Sequence, residues 1–108
     1  MIKYYGEKQK NIPGPVDVFV SDTGSVIDEP LKHIERHSPD GFNFSYGGSG
    51  CADLALSILH DYFSRKKLDK SIIDSCYQNF KSEFIATAGN KLEITGDKIE
   101  LWLNTKKS

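Results

Sequence analysis

The sequence is poor in everything that would staple, steer or anchor it. Only two cysteines occur, Cys51 and Cys76, too few for a disulfide framework and too far apart for a zinc knuckle. Both fall on apolar faces of helical patterns, where a free thiol behaves as a small hydrophobe and implies a reducing compartment. No sign of charge dominates: 14 Lys+Arg stand against 15 Asp+Glu. The molecule therefore has no overall field to draw in nucleic acid, an anionic membrane or an acidic substrate. No apolar run approaches the roughly 20 residues that cross a bilayer. The start, Met1-Ile2-Lys3-Tyr4, lacks the apolar core of a signal peptide. A cytoplasmic protein is expected.

What remains is room for one domain. A chain of 108 residues buries roughly two-thirds of its unfolded surface and needs no staples to fold. Ile2 to Tyr5 is rich in strand formers. Gly6 to Pro15, with two prolines and Gly14, is expected to be a loop. Val16, Val18 and Val20 alternate with Asp17 and Phe19 as in a strand with one face inward. Asp22-Thr23-Gly24 supplies turn chemistry, and Val26-Ile27 suits a short return strand. Between Glu29 and Arg36, Pro30 can open one or two helical turns. Ser38-Pro39-Asp40-Gly41 reads as a type I turn, and Phe42, Phe44 and Tyr46 then alternate with Asn43 and Ser45 as a strand.

From Gly50 the period changes to that of a helix covered on most sides. Only a thin polar stripe of Asp53, Ser57, His60, Asp61 and Ser64 interrupts its apolar surface. A second helix, begun near Asp69 or Ser71 and stopped at Gly89, has a narrower face of Ile73, Cys76, Tyr77, Phe80, Phe84 and Ala88. Its join to the first, Arg65-Lys66-Lys67 and Lys70, reads as a solvated linker. At the end of the chain, Ile99, Leu101 and Leu103 alternate like a strand, while Ile99, Trp102 and Leu103 fit a helix that Thr95 could cap.

Chemistry has few places to live. Tyr46-Gly47-Gly48-Ser49-Gly50 leads from a strand into a helix start, where freed amides and the helix dipole could hold a phosphate or carboxylate, with His37 as a neighbour. The run lacks the Lys-Ser/Thr ending of a nucleotide-triphosphate loop, and Asp53 would set a negative charge in the first helical turn. The competing reading is a tight bend that lets the helix press onto the sheet. His33 and His37 have metal-clip spacing. His33-Ile34-Glu35 matches the first half of a zinc deaminase signature, but the Pro-Cys-x-x-Cys half is missing. His37 beside Ser38 suggests a base and nucleophile without an orienting third group. Phe42, Phe44 and Tyr46 have no Lys or Arg interleaved to neutralise phosphates, which argues against nucleic acid.

The central block is His37-Ser38-Pro39-Asp40-Gly41-Phe42, Phe44-Ser45-Tyr46-Gly47-Gly48-Ser49-Gly50, then Ala52 and Leu54-Ala55-Leu56-Ser57-Ile58-Leu59. It resembles the signature of an uncharacterised family of short proteins, a domain of unknown function from bacteria, archaea and their viruses. The resemblance extends to Tyr5-Gly6, the Tyr77 to Phe84 helix, and Ile99, Trp102 and Leu103. It implies a short closing helix and no particular activity.

The expected architecture is α+β: a small antiparallel sheet of three or four strands from the first half, packed against two main helices plus a short C-terminal helix. The expected function is non-enzymatic binding or inhibition, with a protein partner, possible carriage by a phage or mobile element, and action against a host defence system. Alternatives are an anionic ligand or nucleotide held by Tyr46, Gly47, Gly48, Ser49, Gly50 and His37, or a hydrolase or nuclease using His37. Neither metal nor cofactor is expected, and the oligomeric state is left open.

Overall fold

The valine and tyrosine alternation in the first half builds a sheet whose three longer strands bury alternate residues. A computed structural model describes residues 1–8, 15–24, 26–37, 41–44 and 48–106. Strands β1 (Ile2–Glu7), β2 (Val18–Asp22) and β3 (Glu29–Pro30) come first, followed by helix α1 (Ser49–Lys66). Helix α2 (Ile73–Phe80) lies between a 3-10 turn at Lys70–Ile72 and a π turn at Lys81–Ile85, and strand β4 (Lys91–Thr95) runs directly into helix α3 (Gly96–Lys106). The sheet is antiparallel with spatial order β3-β2-β1-β4. Central Tyr4 stands opposite Val20 on one side and Ile94 on the other.

That register sends Ile2, Tyr4, Val18, Val20, Leu92 and Ile94 to one face, where they join the buried residues of the helices in a single core. Every residue of α1 from Gly50 to Leu59 is buried, as the nearly unbroken apolar pattern predicts. In α2 the narrower face of Ile73, Tyr77 and Phe80 goes inward. Helix α3 settles the ambiguous C-terminal pattern: Ile99, Trp102 and Leu103 are buried, Thr95 Oγ1 accepts from Lys98 N at 3.3 Å, and the Trp102 ring meets Phe80 edge-on at 5.1 Å. Neither cysteine forms a disulfide; Cys51 is buried and Cys76 half-buried.

Four expectations from the sequence are corrected. The residues from Phe42 to Phe44 form no strand: Phe42 makes one isolated bridge to Val16, Asn43 N donates to Gly50 O at 3.3 Å, and Phe44 N donates to the Asn43 side chain. Phe42 and Phe44 are nonetheless buried, so their alternation marks burial without a ladder. The return strand is Glu29–Pro30, while Val26 and Ile27 lie exposed before it. Pro30 opens no helix. Leu31 N donates to Val18 O at 2.8 Å, which places Pro30, opposite Phe19, at a position where the ladder asks for no N–H. Finally, the fourth strand comes from the second half, where Leu92 and Ile94 offer too short an alternation to stand out. Residues 9–14 of the expected loop, Ser38, Pro39 and Asp40 of the expected turn, and Ser45, Tyr46 and Gly47 lie outside the described residues.

The basic join also has a structural role. Arg65 donates from Nε to Asp61 at 2.7 Å and from a terminal nitrogen to Asp22 at 3.2 Å, tying the end of α1 to β2. Lys67 ends the helix in the left-handed conformation, φ 56°.

Two leucines of similar pattern should behave oppositely. Leu56 is fully buried and Leu101 exposed, so Leu56→Ala is expected to cost about 2–5 kcal/mol in urea unfolding and Leu101→Ala at most about 0.5 kcal/mol.

Candidate functional site

The polar residues on α1 face partners from other elements. Asp53, Ser57 and Asp61 recur every fourth residue and so share one side of the helix. Residues 32–37 belong to no ladder, and their backbone groups need bonds from elsewhere. Asp53, completely buried, supplies two of them and a bond to the His33 ring. Its Oδ1 accepts from His37 N at 2.8 Å and Arg36 N at 3.2 Å, and its Oδ2 accepts from His33 Nε2 at 2.9 Å. One turn on, Ser57 Oγ accepts from Ile34 N at 2.8 Å. A further turn on, Asp61 accepts from the Tyr4 hydroxyl at 2.7 Å. Helix α1 starts at Ser49, which puts Asp53 past the first turn and turned toward 33–37, contrary to the expectation that its charge would oppose an anion at the helix start.

The side chains of 33–37 complete a polar corner against α2. His37 Nε2 is hydrogen-bonded to the Tyr77 hydroxyl at 2.7 Å. Arg36 donates to Asp74 at 2.7 Å and lies 5.9 Å from the centre of the Tyr77 ring. The Arg36 bond holds the Asp74 carboxyl below the usual carboxylate range. His60, near Lys70 and Arg36, is made less basic first by burial and then by those two cations. His33 packs on Phe42 with ring centres 4.7 Å apart.

A buried carboxylate that fixes an imidazole is half of a general-base arrangement. Here the same carboxylate also receives two backbone N–H groups, so its first effect is to pin the chain. His33 and His37 turn to different partners, Asp53 and Tyr77, and form no metal clip. Among the described residues no group of three or more His, Cys, Asp or Glu could hold a metal ion.

The glycine bend is partly in view. Tyr46 and Gly47 lie outside the described residues, Gly48 precedes α1, Ser49 is exposed and Gly50 is buried. A Cβ on Gly50 would stand 3.1 Å from the Asn43 backbone nitrogen and 3.2 Å from the Gly41 oxygen. Gly41 itself has φ +111°, which residues with a Cβ rarely adopt. Close backbone approach therefore accounts for Gly50 and backbone conformation for Gly41. Of the candidate residues, His37 is fastened through its backbone to Asp53, three positions beyond Gly50.

A second feature was not anticipated. On the sheet face away from the helices, an open cavity of about 660 Å³ is lined by Tyr5, Phe19, Lys3, Glu7, Lys91 and Glu93, among others. The Tyr5 and Phe19 rings are 5.7 Å apart and Lys3 Nζ stands 5.4 Å from the Tyr5 ring centre. The Tyr5 hydroxyl donates to Asp28, which raises its pKa. The sequence signal was available: Tyr5 and Phe19 occupy the outward parity of strands whose even-numbered residues are buried.

Two measurements address the α1 stripe. Asp53→Ala leaves the His37 and Arg36 amides and the His33 ring without their acceptor, and is expected to lower stability by about 3–5 kcal/mol. Asp53→Asn, which keeps one acceptor oxygen, should lose less. Burial first, then the bond to Asp61, pushes the Tyr4 hydroxyl well above its ordinary range. A group whose pKa is raised on folding stabilises fully below its unfolded value, and that contribution is lost as pH rises. Stability should thus fall above about pH 10, Tyr4 contributing a slope near 1.4 kcal/mol per pH unit. In Tyr4→Phe, chemical unfolding between pH 9 and 11 should show a correspondingly flatter decline.

No curated protein and no solved structure matches this chain. A family model does, that of a family of unknown function, DUF6166, over residues 4–105. The match takes in the Asp53 corner, the glycine bend and the aromatic face of the sheet alike. With nearly its whole length matched, the chain belongs to the DUF6166 family of unknown function.

Proposed function

We propose that the chain acts by binding another protein through the outer face of its sheet. The observation that carries this reading is the Tyr5–Phe19 pair set in an open cavity, on a face that no helix of the described residues covers. Aromatic side chains at the centre and charges at the margin are the usual make-up of a protein-recognition surface. Lys3 and Lys91 alternate with Glu7 and Glu93 around the rings, so the face offers both signs of charge and suits a mixed protein surface better than a polyanion. The His33, His37 and Asp53 groups are bonded to one another's segments and to Tyr77, which supports a structural use of the corner over hydrolysis by His37. Gly41 and Gly50 are likewise explained by backbone conformation and packing, so an anionic ligand at the bend has less support.

The finer proposal is an inhibitor of a host defence system, carried by a phage or mobile element and acting in the cytoplasm. Its support is the small size of the chain and its resemblance to short proteins of bacteria, archaea and their viruses. A binding face that covers a partner's working surface would suffice for inhibition.

Affinity capture from host lysate tests the proposal when the intact chain is run beside the Tyr5→Ala/Phe19→Ala variant. A specific protein should be retained by the first and lost from the second, with stability changed by no more than about 2 kcal/mol. Recovery of no partner, or equal recovery by both, would count against it.

A further inference from the structure

The two edges of the sheet are unlike. At one edge β3 has two residues, one of them Pro30, and such an edge is blunted against further pairing. At the other edge β4 has five residues, no proline, and among the described residues it pairs with β1 alone. The phase of its ladder is fixed by Lys8 N donating to Asn90 O at 2.8 Å. Bonded pairs alternate along an antiparallel ladder, so Leu92 and Ile94 direct their backbone groups to β1. Lys91, Glu93 and Thr95 direct theirs away from the sheet. The side chains of Lys91 and Glu93 are exposed.

This short edge is complementary to itself. When two copies of β4 run antiparallel about a two-fold axis through Leu92, Lys91 of each copy falls opposite Glu93 of the other. Those are the residues with outward backbone groups, so each such pair can exchange two N–H···O bonds and bring opposite charges together across the strands. Moving the axis to Glu93 sets two carboxylates face to face, which is unfavourable. The charge pattern therefore selects one register. The axis stands perpendicular to the sheet, so the helices of both copies stay on one side and their aromatic cavities on the other.

We infer that the free edge of β4 pairs with the same edge of a second copy of this chain, joining two four-stranded sheets across Leu92. The interface is isologous, as closed dimers require. It does not depend on the protein partner proposed for the outer face.

Sedimentation velocity and native mass spectrometry of the intact chain test the pairing. A dimer is expected at high micromolar concentration, dissociating on dilution. Glu93→Lys places like charges across the axis and should weaken it about tenfold or more. The swap Lys91→Glu/Glu93→Lys should recover it. Glu93→Pro should also abolish it, because that N–H serves no bond to β1, and circular dichroism would confirm that the fold survives. A monomer up to millimolar concentration would overturn the inference. So would a dimer indifferent to Glu93→Lys, or one that Glu93→Lys weakens and the swap fails to recover. If Glu93→Pro does not fold, the two charge variants decide alone.

Discussion

A carboxylate sealed inside the molecule holds the irregular segment after β3 in place. Residues 32–37 pass over α1 outside any strand, and unpaired amides in such a position would each cost about 1–3 kcal/mol. Asp53 takes two of those amides and an imidazole at once, so its own burial is compensated by the groups it satisfies. With 33–37 fixed, His33 can pack on Phe42, His37 can reach Tyr77, and Arg36 can reach Asp74. Asn43 and Gly41 are then close enough to Gly50 that no side chain fits between them. Remove the carboxylate and the bend, the corner and the α1–α2 contact lose their common support.

This dependence explains why the chemically suggestive residues carry little chemistry that can be assigned. Two histidines near a carboxylate resemble a catalytic or metal-binding set when read along the chain. In three dimensions each is committed to a different neighbour, and the carboxylate between them is occupied by the backbone. A polar group in a small core earns its place when all its bonds are made, and a fully bonded group has little capacity left for a substrate.

Periodic features were legible in the sequence, and features set by distant partners were not. The nearly all-apolar run from Cys51 to Phe63 could only be a buried helix, and the valines of β2 could only be a strand with one face inside. The inward face of α2 followed from its narrow stripe, but its end did not: the helix expected to run to Gly89 gives way after Phe80 to a π turn over Lys81–Ile85. By contrast Phe42 and Phe44 alternate as a strand does because they are buried, while their backbone is claimed by Gly50 and by the Asn43 side chain. Pro30 looked like a helix opener since nothing local reveals that its position in β3 asks for no amide. Strand β4 offers only Leu92 and Ile94, and it is a strand because β1 presents a complementary edge. The thin stripe on α1 was visible at once. That it stitches 33–37 and Tyr4 to the helix was not, because the partners lie 16 to 57 positions away in sequence.

The outer face of the sheet follows from the same economy of size. Among the described residues every helix lies on the inner face, which leaves the opposite face without a covering helix. Solvent alone would be served by Lys, Glu and Thr at each outward position, as at Lys3, Glu7, Lys91, Glu93 and Thr95. Tyr5 and Phe19 break that rule side by side, and their contact with each other and with Lys3 recovers only part of what exposing two rings to water costs. The core gains nothing from them, since Tyr4 and Val20, their neighbours along the strands, already fill the inner side. The pair is half-buried in a concave, mixed-charge setting, and the protein partner proposed above would complete its cover.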